Sequence, residues 1–391
     1  MGSNNFLTTW KDNVQYFATL AALAKFSKLF TAGSIPYLDY RITENIFCKY
    51  YEAHNQARSC TAYDATISSM GVGIKTFILK NNQSAEKIAE FNKLKNQLDL
   101  LTGIALAQKL GQFRNDRIQV ADTLYGTSDR IYHIIGRADG GLRIFNTTYD
   151  LVDVEKIKII QDDSSSIFFH DGKNEYHFNR SKTVLIQKFI VPPNDIFDVC
   201  VDFIADPLSF LLEILRKTDI TMTSNNMPSV VTSNIDYIIL PLYSTRNRIP
   251  LVPEKSGLNQ WNAGGRRRDP DEVYIPIPKK VRETHPNFFP SREEPFTLQL
   301  PNGRNLSAKI CQDDGKALMS YHNADLGQWI LRTILQKNEG ELVTMDDLNR
   351  FGIDSVRIVN MHTEDDGGRR IYTISFTATG YESYSEFIGE E

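Results

Sequence analysis

The chain has no CxxC pair, no apolar run long enough to cross a bilayer, and no large excess of charge of either sign. Its four cysteines, Cys48, Cys60, Cys200 and Cys311, are scattered through 391 residues. That pattern argues against a paired-cysteine zinc site and a disulfide framework, and points to a reduced compartment. The most apolar stretch near the start, FATLAALAKF, is interrupted by Lys25 and followed by Lys28, and falls well short of the roughly 20 residues of a spanning helix. It lacks a signal-peptide layout as well, so the expectation is a cytoplasmic protein with no membrane partner. A net charge of -4 speaks against indiscriminate nucleic-acid binding over the whole surface. It leaves room for a local basic strip, because phosphate contact depends on clustered Lys and Arg.

Several catalytic signatures are also missing. A phospholipase-D-type nuclease needs His-x-Lys, since one imidazole attacks phosphorus while the lysine binds its oxygens. None of His54, His133, His170, His177, His285, His322 or His362 has Lys two positions on, and HDGK at 170–173 has the wrong spacing. A Walker loop, a GxSxG elbow and HExxH are absent.

What remains is ordinary globular composition, 41% apolar and 24% charged, which makes disorder the wrong default. The length suits two or three domains. The expected fold is α+β and multidomain: an α/β core over 1–125, a β-rich extension or small middle domain over 126–240, and a barrel-like β domain with one or two helices over 241–391. Helical spacing runs over residues 6–30 and again from Ile42, strands are expected near 61–67 and 72–79, and a helix is expected from Ser84, placed to cap it, through SAEKIAEFNKLKNQLDLLTGIALAQKL. Short strand-like runs follow over 130–185, then a helix in DPLSFLLEILRKT, a polar linker candidate at 221–234, and a second amphipathic helix in ADLGQWILRTIL.

Two features carry chemistry. In TAYDATISSMGVGIKTFILK, Asp64 and Lys75 sit ten intervening residues apart on adjacent strand candidates and can converge across a hairpin, with Glu44 on the preceding helix as a second carboxylate. Carboxylates hold a hard divalent cation such as Mg2+, and a lysine helps to orient the attacking water. By spacing alone the plainer reading is a solvated hairpin with two charges. Position 73 is Gly rather than an acid, so a third ligand must come from elsewhere, with Glu90 and Asn92 as candidates. The second feature is a basic, amide-rich strip, Asn259, Gln260, Asn262, Arg266, Arg267 and Arg268, and a further polar strip, Lys309, Gln312, Asp313, Lys316, Ser320 and Asn323. Arginine reads guanine edges and Asn or Gln reads adenine, each through two hydrogen bonds; a surface hairpin is the plainer alternative.

The segments EVYIPIPKKV, HPNFFPSREEPFTLQLPNGRNLSAKICQDDGKALMS, DLGQWILR and GIDSVRI resemble, in order, the effector-type pseudobarrel domain of the restriction endonucleases NgoFVII, EcoRII and BfiI, shared with plant transcription factors of the B-three class. The resemblance spans about residues 245–380 and implies two arms gripping the major groove, an N-arm near 259–269 and a C-arm near 309–323. The N-terminal half is similar to type II restriction enzymes through YRITENIF, ARSCTAYDA and GVGIKTF, and its helix Glu, strand Asp and strand Lys resemble a PD-(D/E)xK nuclease core. Together these imply a type II restriction endonuclease acting on double-stranded DNA with Mg2+, with Asp64 and Glu44 as metal ligands, Lys75 and Glu90 completing the catalytic set, a companion DNA methyltransferase, and dimerisation for a double-strand break. The alternatives are a DNA-binding protein whose nuclease site is degenerate at Gly73, and a metal-independent nuclease built around His170 or His177.

Overall fold

Helix Tyr40–Tyr51 starts where the Asp39 carboxylate accepts the Arg41 amide and stops at Glu52, which turns left-handed at φ 53°. Its inner face, Ile46, Phe47 and Tyr51, packs with Phe6, Trp10, Tyr16 and Leu20 of the preceding helical segments Ser3–Thr9, Trp10–Asp12 and Val14–Ala24. That layer covers one face of a six-stranded sheet, through Val72, Ile74, Ile135 and Ile144. The structure is a computed structural model describing residues 3–56, 62–217, 236–246 and 249–377. It divides into two compact units, the first of residues 1–57, 62–115 and 127–233, the second of residues 58–61, 116–126 and 234–391.

In the first unit the strand order is His54–Asn55, Ala65–Ile67, Met70–Ile78, Asp129–Ala138, Gly141–Thr148, Ile196–Cys200. The central pair, Met70–Ile78 with Asp129–Ala138, is parallel, with Lys75 opposite Ile134. A second, antiparallel sheet runs Gln83–Glu90, Val184–Ile190, Glu175–Asn179, Ser166–His170, Lys158–Asp162. Phe91, Leu106, Leu110 and Phe113 pack on its inner residues Phe169, Phe178 and Leu185.

The helix expected from Ser84 is corrected here. Residues Gln83–Glu90 form a strand, and the long helix begins only at Gly103. The segment has good helix formers, but Ser84, Glu86 and Ile88 alternate with more exposed neighbours, and pairing with Val184–Ile190 overrides local propensity. The β-rich reading of 130–185 corresponds to strands from Asp129 to Ile190, and the helix read in DPLSFLLEILRKT to Pro207–Lys217. The linker candidate at 221–234, Cys60, and residues 57–61 of the ARSCTAYDA segment lie outside the described residues.

The second unit is a seven-stranded sheet in the order Tyr237–Pro241, Ser355–Glu364, Arg370–Thr377, Phe296–Gln299, Asn305–Cys311, Ala317–Ser320, Ile275–Pro276. Its first and last strands approach each other, so the sheet curls into a nearly closed barrel. Leu240, Phe296, Leu298, Leu318, Ile358, Tyr372 and Ile374 fill it. The helix expected in ADLGQWILRTIL is a turn at Asp325–Gly327 running into a π-helical stretch, Gln328–Ile334, that buries Trp329, Ile330, Leu331 and Ile334. Among the described residues no helix is long and apolar enough to cross a membrane.

Candidate active site and nucleic-acid interface

Asp64 precedes strand Ala65–Ile67, and its carboxylate accepts the Ile74 amide at 2.7 Å, which fixes it on strand Met70–Ile78. Lys75, next along that strand, brings its Nζ to 3.7 Å from the same carboxylate oxygen. Glu44, 6% exposed on helix Tyr40–Tyr51, lies close enough to feel both charges. Burial and the neighbouring Asp64 charge push its pKa up to about 7, against the pull of Lys75 and Arg41. Burial alone would lower the Lys75 ammonium, but Asp64, Tyr132 and Glu44 outweigh it and its pKa stands above the ordinary lysine value. Lys75 is therefore a fixed positive charge at neutral pH and suited to electrostatic work rather than to removing a proton. Burial, with the same two carboxylates, pushes the Cys48 thiol up to about 12, so the environment opposes a thiolate there.

The fold thus brings Asp64, Lys75 and Glu44 together. It uses Glu90 differently: at the end of strand Gln83–Glu90 its carboxylate is engaged by Lys87 and by Asn92, and Asn92 also reaches Thr183. Among the described residues no group of three His, Cys, Asp or Glu side chains is placed to hold a metal ion. Two carboxylates are the protein donor set that Mg2+ commonly takes, since it keeps much of its hydration and completes its shell with water and substrate phosphates. The carboxylate repulsion that raises Glu44 is what a bound dication would relieve. Glu86 was not anticipated: burial raises it, while its bond from Ser84 and the charges of Arg137 and Lys75 lower it. Its periodicity was hidden by the helix-like composition of its strand. As for the histidines, His177 stacks on Phe168 with centroids 4.2 Å apart and planes 3° from parallel, and burial lowers its pKa. His170 accepts the Gly172 amide through Nδ1, and among the described residues neither ring is hydrogen-bonded to a carboxylate that would orient it as a base.

In the barrel the two strips prove unequal in chemical freedom. Asn259 is fully buried: its Nδ2 donates to the Pro253 and Val343 carbonyls and its Oδ1 accepts the Val343 amide, so it is a structural clamp and not a base reader. Glu272, 2% exposed, binds Arg266 through both of its oxygens and sits 3.5 Å from Arg268 Nε. Arg268 also donates to the Ala263 and Gly264 carbonyls. Arg267, between them and just after Gly264 and Gly265, is exposed, and its guanidinium makes no hydrogen bond or ion pair among the described residues. Gln260 is half-buried, and Asn262 is exposed and donates to the Glu254 carbonyl.

On the other strip, Ser320 is 1% exposed and its hydroxyl accepts the Leu326 amide, a second structural role where a contact was expected. Lys309 is held by Glu293 at 2.8 Å and lies over the Tyr321 ring. Between strands Asn305–Cys311 and Ala317–Ser320 the chain turns through Gln312, Asp314 and Gly315, all at positive φ of 55–66°. Such a conformation is costly for non-glycine residues and is kept where the surroundings impose it; here Arg282 donates to the Asp314 carbonyl at 2.7 Å and Arg292 pairs with Asp313 at 3.3 Å. Gln312, Asp313, Lys316 and Asn323 are exposed on this turn and just beyond it, with Lys316 3.4 Å from Asp314. Arg292 and the exposed Tyr321 were missed; both lie at the edges of the strip read from composition.

The comparison with protein families falls on this barrel. Residues 237–362 match the family model of the NgoFVII C-terminal B3-like DNA-binding domain. Both strips lie within the match, which supports a restriction-enzyme-like C-terminal DNA-binding domain and agrees with the resemblance read from the sequence. The nearly closed sheet fits the pseudobarrel expected of a B3-like domain. A comparison with curated proteins found no match.

Proposed function

We propose that the chain is a type II restriction endonuclease that hydrolyses double-stranded DNA at a specific sequence with Mg2+, reading DNA with its B3-like domain and cutting with the Asp64, Glu44 and Lys75 cluster. The observation that carries the reading is the convergence of Asp64 and Lys75 at 3.7 Å beside the buried Glu44 in a chain that also holds a B3-like domain. Asp64 and Glu44 would hold the ion, which when bound polarises the scissile phosphate. The Ile74 amide aims Asp64, and the cationic Lys75 binds a phosphate oxygen or the attacking water and balances charge gathering in the transition state.

In the B3-like domain, the exposed Arg267, Gln312, Asp313, Lys316 and Asn323 are the side chains that would meet DNA, with Arg266 and Arg268 holding the first arm in shape. One such centre cuts one strand, so two copies acting together would make a double-strand break, and a companion methyltransferase would protect host sites. Digestion of a sequenced genome with Mg2+ and with excess EDTA, followed by sequencing of the ends, tests the proposal. Defined ends at one sequence in Mg2+ only are expected; no cutting would leave a DNA-binding protein, the reading that Gly73 favours, and cutting in EDTA would point to another catalytic group.

A further inference from the structure

Along strand Met70–Ile78 alternate residues share a face, so a side chain at position 73 would stand beside Lys75. No side chain fits there. A Cβ on Gly73 would lie 2.7 Å from the Tyr132 ring and 3.0 Å from Tyr149, well inside the 3.5–4.0 Å at which carbon atoms rest. Nor is Tyr132 a neighbour that swings aside. It is 1% exposed, stacked on Tyr149 with centroids 3.9 Å apart, and met edge-on by Phe189. Its hydroxyl accepts from Arg114 Nη2 at 3.0 Å, and Arg114, itself 3% exposed, is anchored on the Asp150 carbonyl through Nη1 at 3.0 Å. Tyr149 is pinned in turn by its bond to the Ala62 carbonyl. Two residues earlier the same wall continues, where a Cβ on Gly71 would fall 2.5 Å from Tyr63.

We propose that Tyr132, held by Arg114 and Tyr149, fills the place of a third acidic ligand beside Lys75, so that the Glu44 and Asp64 centre takes one divalent cation per chain. The inference rests on the proposed nuclease reading of that centre. Two carboxylates are enough to hold one hard dication whose remaining positions are filled by water and substrate oxygens, whereas a second dication within about 4 Å of the first calls for a further anionic ligand, and the crowding at position 73 leaves no room for one there.

The test is a Mn2+ titration of the full chain, with free Mn2+ followed by electron paramagnetic resonance and the Asp64→Asn chain as the reference. Wild type is expected to bind one more Mn2+ per chain than Asp64→Asn. A difference of two overturns the one-ion inference while leaving a metal centre in place, and no difference overturns the metal-dependent reading with it. A second arm tests Tyr132 as the occupant. Gly73→Asp combined with Tyr132→Ala, shown folded by circular dichroism, is expected to raise the count to two or tighten the ion at least tenfold, with Tyr132→Ala alone unchanged. A folded double variant that still binds one ion with wild-type affinity would show that Tyr132 is not what excludes the second.

Discussion

Asn259 and Arg267 stand eight positions apart in the same arm, and the structure predicts opposite consequences for replacing each with alanine. Asn259→Ala removes three hydrogen bonds, two of them buried, and strands the Val343 amide and two carbonyls. At about 1 kcal/mol for each bond, plus desolvation of unmet groups, the barrel should lose about 3–5 kcal/mol. Arg267→Ala removes an exposed side chain with no hydrogen bond or ion pair among the described residues and should leave stability within about 0.5 kcal/mol. On DNA the ranking reverses. If Arg267 makes one bidentate base contact, its loss should weaken binding by about 1–3 kcal/mol, or about 5- to 150-fold, and relax selectivity at one base pair. The assay is urea unfolding of each variant, with fluorescence anisotropy on a duplex selected from a random pool by the wild-type chain. An Asn259→Ala protein as stable as wild type, or an Arg267→Ala protein with unchanged affinity and selectivity at physiological salt, would refute the division between clamp and reader.

Three other outcomes follow from the same geometry. His133 is fully buried, bonded to Tyr16 and Asn146, and burial lowers its pKa to about 4 from the ordinary 6.5. The unfolded chain therefore binds the proton first, and the stabilisation is complete above pH 6.5 and lost as pH falls toward 4, about 3 kcal/mol in all; native-state hydrogen exchange in strand Asp129–Ala138 should accelerate across that window, and a flat profile would contradict it. Ser320→Ala should cost about 1–3 kcal/mol of stability by leaving the buried Leu326 amide without its acceptor yet leave the dissociation constant for DNA unchanged, as anisotropy would report. Glu272→Gln should weaken the clamp on Arg266 and Arg268, lowering barrel stability in thermal melts and DNA affinity together, whereas a loss of affinity alone would mean that Glu272 touches DNA itself.

The sequence made the barrel more legible than the N-terminal half, for a physical reason. In the barrel, proline, glycine and alternating apolar residues mark the ends of short strands, and ordered segments from EVYIPIPKKV to GIDSVRI carry the resemblance that the family match agrees with. Which polar residues of each strip are free was not legible, because Asn259 and Ser320 have the same side chains whether they face solvent or close an internal hydrogen bond. Segment 83–90 was misread because its residues favour a helix in isolation, while pairing with a distant strand decides its state. At the candidate centre, the pairing of Asp64 with Lys75 was visible as a spacing across a hairpin. The crowding at Gly73 was not, since Tyr132, Tyr149 and Arg114 come from three other segments and reach it only through the fold.

The most direct test of the central claim is cleavage of a duplex bearing the selected site, in Mg2+, by wild type, Asp64→Asn and Lys75→Ala, with binding of the same duplex measured in parallel. The account predicts that wild type cuts, that both variants lose at least a hundredfold in rate, and that both bind within about twofold of wild type. Variants that cut as fast as wild type would place the chemistry elsewhere in the chain.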